Sequence, residues 1–181
     1  MAHLLDSFFD ELGIEHCAPA VSPDLFRLGM RRLAGAVTVV TSTDKNGAPI
    51  GMTATAVCSL SAAPPTLLIC ANRAGAIARN LGWGGHFCVN LLSADQTDIA
   101  RICGGGPSQP PCDKFSDAAW LRDDNGIPTL TTALARFHCV VTDAVPIATH
   151  MLFVGRVQSV SLLENGGAAL AYREGKYLSV E

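Results

Sequence analysis

Asn72-Arg73 ends an apolar, strand-like run and stands immediately before a short helical stretch. That is a good setting for an anion. An arginine pairs with phosphate oxygens through two parallel hydrogen bonds, and a helix start adds backbone N–H groups and a favourable dipole. The run Ala74-Gly75-Ala76 leaves this helix start open to a ligand but offers no side-chain hydroxyl, so backbone N–H groups would carry the contacts. Upstream, Thr53-Ala54-Thr55-Ala56 alternates hydroxyls with methyls and leads into Ser59 and Leu60. Small side chains let a flat ring lie close to the backbone, and Thr53, Thr55 and Ser59 can each donate or accept a hydrogen bond. Taken alone, this segment fits an ordinary half-buried strand with threonines on one face equally well. His150 opens a later strand-like run, and Tyr172, Arg173 and Tyr177 cluster near the C-terminal end.

Several chemistries lack support. No G-x-G-x-x-G leads from a strand into a helix, and Gly104-Gly105-Gly106 runs into Pro107, a poor phosphate-binding turn. The five histidines, at 3, 16, 86, 138 and 150, lack ligand spacing to the cysteines, so a zinc site is not expected. The seven cysteines are odd in number and contain no C-x-x-C pair. Cys58, Cys70, Cys88 and Cys139 lie in apolar runs and read as reduced, small hydrophobes of a cytoplasmic protein. The net charge is -3 and no Lys/Arg block stands out, which gives no electrostatic support for nucleic acid or an anionic membrane. No apolar run is long enough to cross a bilayer, and the acidic N-terminus does not read as a signal peptide.

The elements that would position these residues follow from periodicity. LLDSFFDEL at 4–12 has helical spacing, and the chain before residue 23 reads as an N-terminal arm. Ser22 as N-cap, Pro23 at the first turn and Asp24 start a helix expected over Pro23–Ala34, closed by Gly35. Strands are expected over Ala36–Thr43 and Ile50–Leu60, joined by an Asn46-Gly47 hairpin turn, and over Thr66–Ala71. A short helix at Ala74–Leu81 precedes a strand at His86–Leu92. A helix capped at Ser93, with Gln96 at the capping-box position, runs to Ile102. Gly104–Pro111 must be a loop, and strands follow at Leu134–Val145 and Thr149–Leu163, then a tail with a Gly175 turn. An apolar share of 49% in 181 residues supports one main domain, 23–181, of mainly antiparallel β structure with helices at its ends.

Four segments together resemble the short-chain flavin reductase family, the reductase partners of two-component flavin monooxygenases. They are LAGAVTVVTS at 33–42 and GMTATAVCSLS at 51–61 with PPTLLIC at 64–70; then Asn72-Arg73 with FCVNLL at 87–92; then THMLFVGRV at 149–157 with YREGKY at 172–177. The resemblance covers about residues 23–180 and rests on order and spacing rather than on one motif. It implies a Greek-key split β-barrel, a homodimer with flavin near the subunit interface, and NADH or NADPH reducing FMN or FAD for an oxygenase. It places the flavin against Thr53, Ala54, Thr55, Ala56, Ser59, Leu60 and Phe87, with its phosphate at Asn72, Arg73 and Ala76. His150 lies beside the ring and the nicotinamide as a positioning group, because hydride transfer needs no general base. Many relatives carry Asp just before this histidine, where Thr149 stands here. Arg173 and Tyr177 are expected to contact ligand and Tyr172 to be core. His86 and His138 are expected to be strand histidines without a site role. Two alternatives stay open: a flavin-dependent cobalt-corrin reductase of the same fold, and a flavin-binding or sensor protein without turnover.

Overall fold

A computed structural model of the chain describes residues 21–105 and 114–181. The helical stretch expected at 4–12 and most of the Gly/Pro loop lie outside the described residues. Contacts divide the chain into two units, Met1–Leu33 and Ala34–Glu181.

In the first unit, helix α1 (Pro23–Met30) starts where its capping residues require, with Ser22 Oγ accepting from the Leu25 N–H at 3.3 Å. It ends short of Ala34. Arg32 and Leu33 donate to Gly29 and Met30 carbonyls, three residues back, so the chain tightens into a turn instead of continuing the helix. Asp24 and Arg27 pair one turn apart on its polar side, and no residue of α1 is buried.

The second unit is built on a seven-stranded antiparallel sheet. Its strands are β2 (Thr38–Thr43), β3 (Pro49–Ala54), β4 (Val57–Ala62), β5 (Pro65–Asn72), β6 (His86–Leu91), β9 (Ala135–Ile147) and β10 (His150–Leu162), in the order β3-β2-β6-β9-β10-β5-β4. The two outermost strands, β3 and β4, are consecutive in the chain. The single strand expected over Ile50–Leu60 is broken at Thr55-Ala56, which belong to neither ladder. Ala54 and Val57 are three residues apart, so at most about 11 Å separates the sheet's two edges there. The sheet therefore curls until its ends meet at this corner. No register joins β3 to β4 among the described residues, so the barrel stays split beyond the corner.

β2 and β6 read as continuous buried runs because both of their faces are covered. Inside the barrel, Val40, Phe87 and Val89 pack with Ile69, Ala71, Val141 and Phe153. On the other face, Val37, Val39 and Leu92 pack with Ala100 and Cys103 of helix α3 (Thr97–Gly104), and with Trp120, Leu130 and Leu170. Helix α3 starts later than expected, but Gln96 still makes half of the capping-box pair, accepting from the Ser93 N–H at 3.0 Å. Helix α2 (Ala76–Asn80) is a single short turn and a half. A small sheet, β1 (Gly35–Ala36), β11 (Ala169–Arg173) and β12 (Lys176–Val180), branches from β2 at Val37 and closes through a Glu174-Gly175 turn. The hairpin β7 (Trp120–Arg122) and β8 (Pro128–Leu130) has no counterpart among the expected elements. Its strands are three residues long, and the turn residues Asp123–Gly126 dominate the local pattern.

Candidate functional site

The Thr55-Ala56 corner is the meeting point of two groups of side chains. On one side, Cys70 donates its N–H to the Ala56 carbonyl at 3.1 Å, tying β5 to the corner. Two residues further along β5 is Asn72, opposite His150 in the β5–β10 ladder. Arg73 follows. Its N–H donates to Thr149 O at 3.0 Å and its guanidinium Nη1 donates to Ala148 O at 3.3 Å, across the tight β9–β10 turn where Ala148 takes a φ of 47°. Asn72, Arg73 and His150 are thus exposed together at one end of the sheet, about 7 Å beyond the corner at strand spacing. The Asn72 side chain accepts from the Ala74 N–H at 2.9 Å and shapes the turn into α2, where Ala76 begins the helix. The Thr149 hydroxyl lies 2.9 Å from His150 Nδ1 and takes up one ring nitrogen without adding charge.

On the other side, Ala54 packs into the barrel core while Thr53 points away from it, donating to Ala100 O of α3 at 2.6 Å. A Cβ on Gly35 would lie 3.0 Å from Thr55 Cβ, so the glycine lets β1 press against the corner. Gly35 pairs with Tyr172, whose ring meets Tyr177 edge-on at 5.2 Å; Arg101 lies 5.8 Å from the Tyr177 ring centroid. Burial pushes the Tyr177 hydroxyl above its ordinary range, Tyr172 adds to this, and Arg101 opposes it. Burial also raises the Cys70 thiol, helped by neighbouring Cys58, so the thiol at the corner stays neutral.

One expectation is corrected, that for Tyr172. Phe87 is 1% exposed and fills the barrel interior, where its ring leaves no room for a side chain on Gly155. The aromatic preceding Cys88 follows the alternation of β6, and that alternation points it inward. Tyr172 is not core. It is exposed, whereas Tyr177, its register partner on β12, is half-buried and packs against the α3 side of the core. Leu60 is exposed at a β4 bulge between Ser59 and Ser61. His86 and His138 stand in strands, with His138 Nδ1 3.0 Å from Asp123.

Beyond the corner, the split opens a cavity of about 350 Å³ between β4 and the opposite wall. Val57, Ser59, Leu67, Val89, Phe137 and Val160 line it. Only Ser59 of the expected site residues reaches it. The cavity and Arg101 were not singled out from the sequence. Both depend on which strands become neighbours, which no local pattern shows.

Residues 30–181 match the family model described as a flavin reductase like domain. The chain belongs to the flavin reductase family. It is 38% identical over 164 residues to FMN reductase (NADH) RutF of Ancylobacter novellus, covering 90% of this chain and 88% of that one. RutF of Acinetobacter baylyi is 36% identical over 157 residues, covering 87% and 81%. Among solved structures, the styrene monooxygenase flavin reductase of Pseudomonas putida S12 superposes with a TM-score of 0.75 at 27% identity, over 86% of this chain and 97% of that one. BorF, the flavin reductase component of a bacterial two-component tryptophan halogenase, gives 0.75 at 28% identity, over 88% and 98%.

Proposed function

We propose that this member of the flavin reductase family uses NADH or NADPH to reduce FMN or FAD at the Thr53–Ala56 corner and passes the reduced flavin to an oxygenase component. The observation that carries the reading is the corner itself. A ladder-free stretch of small residues lies between a group with Asn72, Arg73 and His150 and a wall with Thr53, Thr55 and two tyrosines. RutF relatives named as NADH-dependent FMN reductases favour FMN and NADH.

The residues suit a flavin. Ala54 and Ala56 keep the corner shallow enough for a flat ring, and Thr55 and Ser59 supply hydroxyls. Arg73 is exposed and held by the β9–β10 turn, well placed for a phosphate. Bound flavin supplies the two-electron acceptor for the nicotinamide hydride. The chain's own part is placement. Fixed polar groups at the corner hold the ring edge on which negative charge grows. The Thr149 hydroxyl engages Nδ1 of His150 and leaves Nε2 open to orient the nicotinamide by hydrogen bonding. Arg173 and Tyr177 extend this wall towards the rest of the nucleotide. Holding both rings in reacting contact lowers the barrier by several kcal/mol, on the order of what orientation alone supplies.

In this reading residues 23–181 form the working domain and 1–22 an arm, and the protein acts as a cytoplasmic homodimer. The exposed edge strand β4 and the apolar Leu60, Val160 and Leu162 at the split end favour association. No helix among the described residues is long and apolar enough to cross a membrane. NADH oxidation measured against added FMN or FAD tests the activity. Turnover that rises with free flavin and saturates supports it. Turnover that appears only with a corrin-bound cobalt acceptor, or a coloured protein inert to both nicotinamides, rejects it.

A further inference from the structure

Both ends of the Thr53–Ala56 corner are tied to the wall that carries the two tyrosines. At one end, Thr53 Oγ1 donates to Ala100 O of α3 at 2.6 Å, and a Cβ on Gly104, at the close of that helix, would touch the Thr53 side chain at 3.8 Å. At the other end, Thr55 lies against Gly35, which pairs with Tyr172. Tyr172 is the register partner of Tyr177 and meets its ring edge-on at 5.2 Å. Arg101 bridges Tyr177 and α3. It directly follows Ala100, and its guanidinium carbon is 5.8 Å from the Tyr177 ring centroid. The contacts thus close a circuit from Thr53 through Arg101 and the tyrosines back to Thr55.

Arg101 suits this link. Its distance from the ring lies within the range of a cation–π contact. Asp98, one turn earlier on α3, pairs with Arg101 Nη1 at 3.2 Å. That exposed pair adds little stability, but it narrows the positions the guanidinium can take. Tyr177 needs such a hold. Strand β12 ends its small sheet and is exposed at every residue except Tyr177, so the ring's place depends on what it touches. The core covers part of the ring, Tyr172 meets it edge-on, and Arg101 ties it to a helix that is itself anchored at Thr53.

We propose that Arg101 is a positioning residue for the nicotinamide nucleotide: it fixes the Tyr177 ring relative to the corner and touches neither flavin nor nucleotide. This role rests on the assignment of Tyr177 to the nucleotide in the reading above. A ring already held in place need not be ordered when the nucleotide arrives, so losing Arg101 costs nicotinamide binding. Asn72, Arg73 and His150 lie on the other side of the corner, and flavin affinity does not depend on Arg101.

The test uses the full chain with saturating FMN, and thermal melting confirms that each variant is folded. Arg101→Met removes the charge and keeps most of the side chain's length. We expect it to raise the KM for NADH about threefold to fivefold, with kcat and FMN affinity retained. Arg101→Lys should recover most of this loss, because an ammonium also binds a ring face. Tyr177→Leu should raise the KM on its own, and adding Arg101→Met to it should change nothing further, since the arginine acts through the ring. An unchanged KM in Arg101→Met, beside a raised one in Tyr177→Leu, overturns the role of Arg101 and leaves Tyr177 in place. A further rise in the double variant also overturns it, because the arginine then meets the nucleotide directly. So does a fall in FMN affinity with a lowered melting point, which marks a structural role. A wild-type KM in Tyr177→Leu overturns the assignment of Tyr177, and the role of Arg101 falls with it.

Discussion

Strands β4 and β6 are both six residues long, and the fold uses them in opposite ways. β6 has a covered interior, with Phe87 and Val89 inside the barrel and Cys88 and Asn90 under the β7–β8 hairpin. Asn90 is wholly buried yet satisfied, donating to Val39 O at 2.9 Å and accepting from the Leu130 N–H at 2.8 Å. β4 is exposed along nearly its whole length at the edge of the sheet. Stability therefore concentrates in β6, while β4 and the corner before it are free to meet ligands and partners.

The largest effect should come from emptying the β6 side. Phe87→Ala should cost about 3–5 kcal/mol, the range for deleting a buried aromatic, read as a lower denaturation midpoint. Gly155→Ala should cost about 1–3 kcal/mol from overpacking, because its Cβ would meet the Phe87 ring at 2.3 Å and that ring has nowhere to move. A melting point unchanged by either would break the contrast between the two strands.

The thiols sharpen it. Burial holds the Cys139 thiol up at about 12, from an ordinary 9.0, and Cys88 is raised as well, chiefly by burial. The folded state keeps protons that the unfolded chain has released. Stability from these groups is thus constant below pH 9 and is lost as pH climbs from 9 towards 12. Cys139→Ala should make that alkaline loss shallower by up to one proton, about 1.4 kcal/mol per pH unit. At neutral pH, a thiol reagent followed by peptide mapping should modify Cys58 on exposed β4 well before Cys88 or Cys139. At the small end, Leu60→Ser should change monomer stability by no more than about 0.5 kcal/mol.

Much of this contrast was legible in the sequence. The β-branched run at 38–43, the Asn46-Gly47 turn, the capping residues of α1 and the paired runs of β9 and β10 follow local rules, and the structure has them. The break at Thr55-Ala56 was not legible, because small residues and threonines suit a continuous strand, and only closure of the sheet makes them a corner. Tyr172 was misplaced for a related reason. A strand's alternation shows that side chains face opposite ways, but not which face is the inside. Asn72, Arg73 and His150 could each be picked out by type and position. Their meeting at one sheet end depends on the β5–β10 register, which is not a local property.

Flavin reduction at this corner is the central assignment. Anaerobic stopped-flow reduction of FMN by NADH, run alongside flavin binding in the wild type, Arg73→Ala and His150→Ala, tests this most directly. Arg73→Ala should weaken FMN binding by about 1–3 kcal/mol while keeping the reduction rate at saturating flavin. His150→Ala should bind FMN normally, but reduce it more slowly or require more NADH. If both variants match the wild type in FMN affinity and in reduction rate at every NADH concentration, the redox site lies elsewhere and the assignment of this corner is wrong.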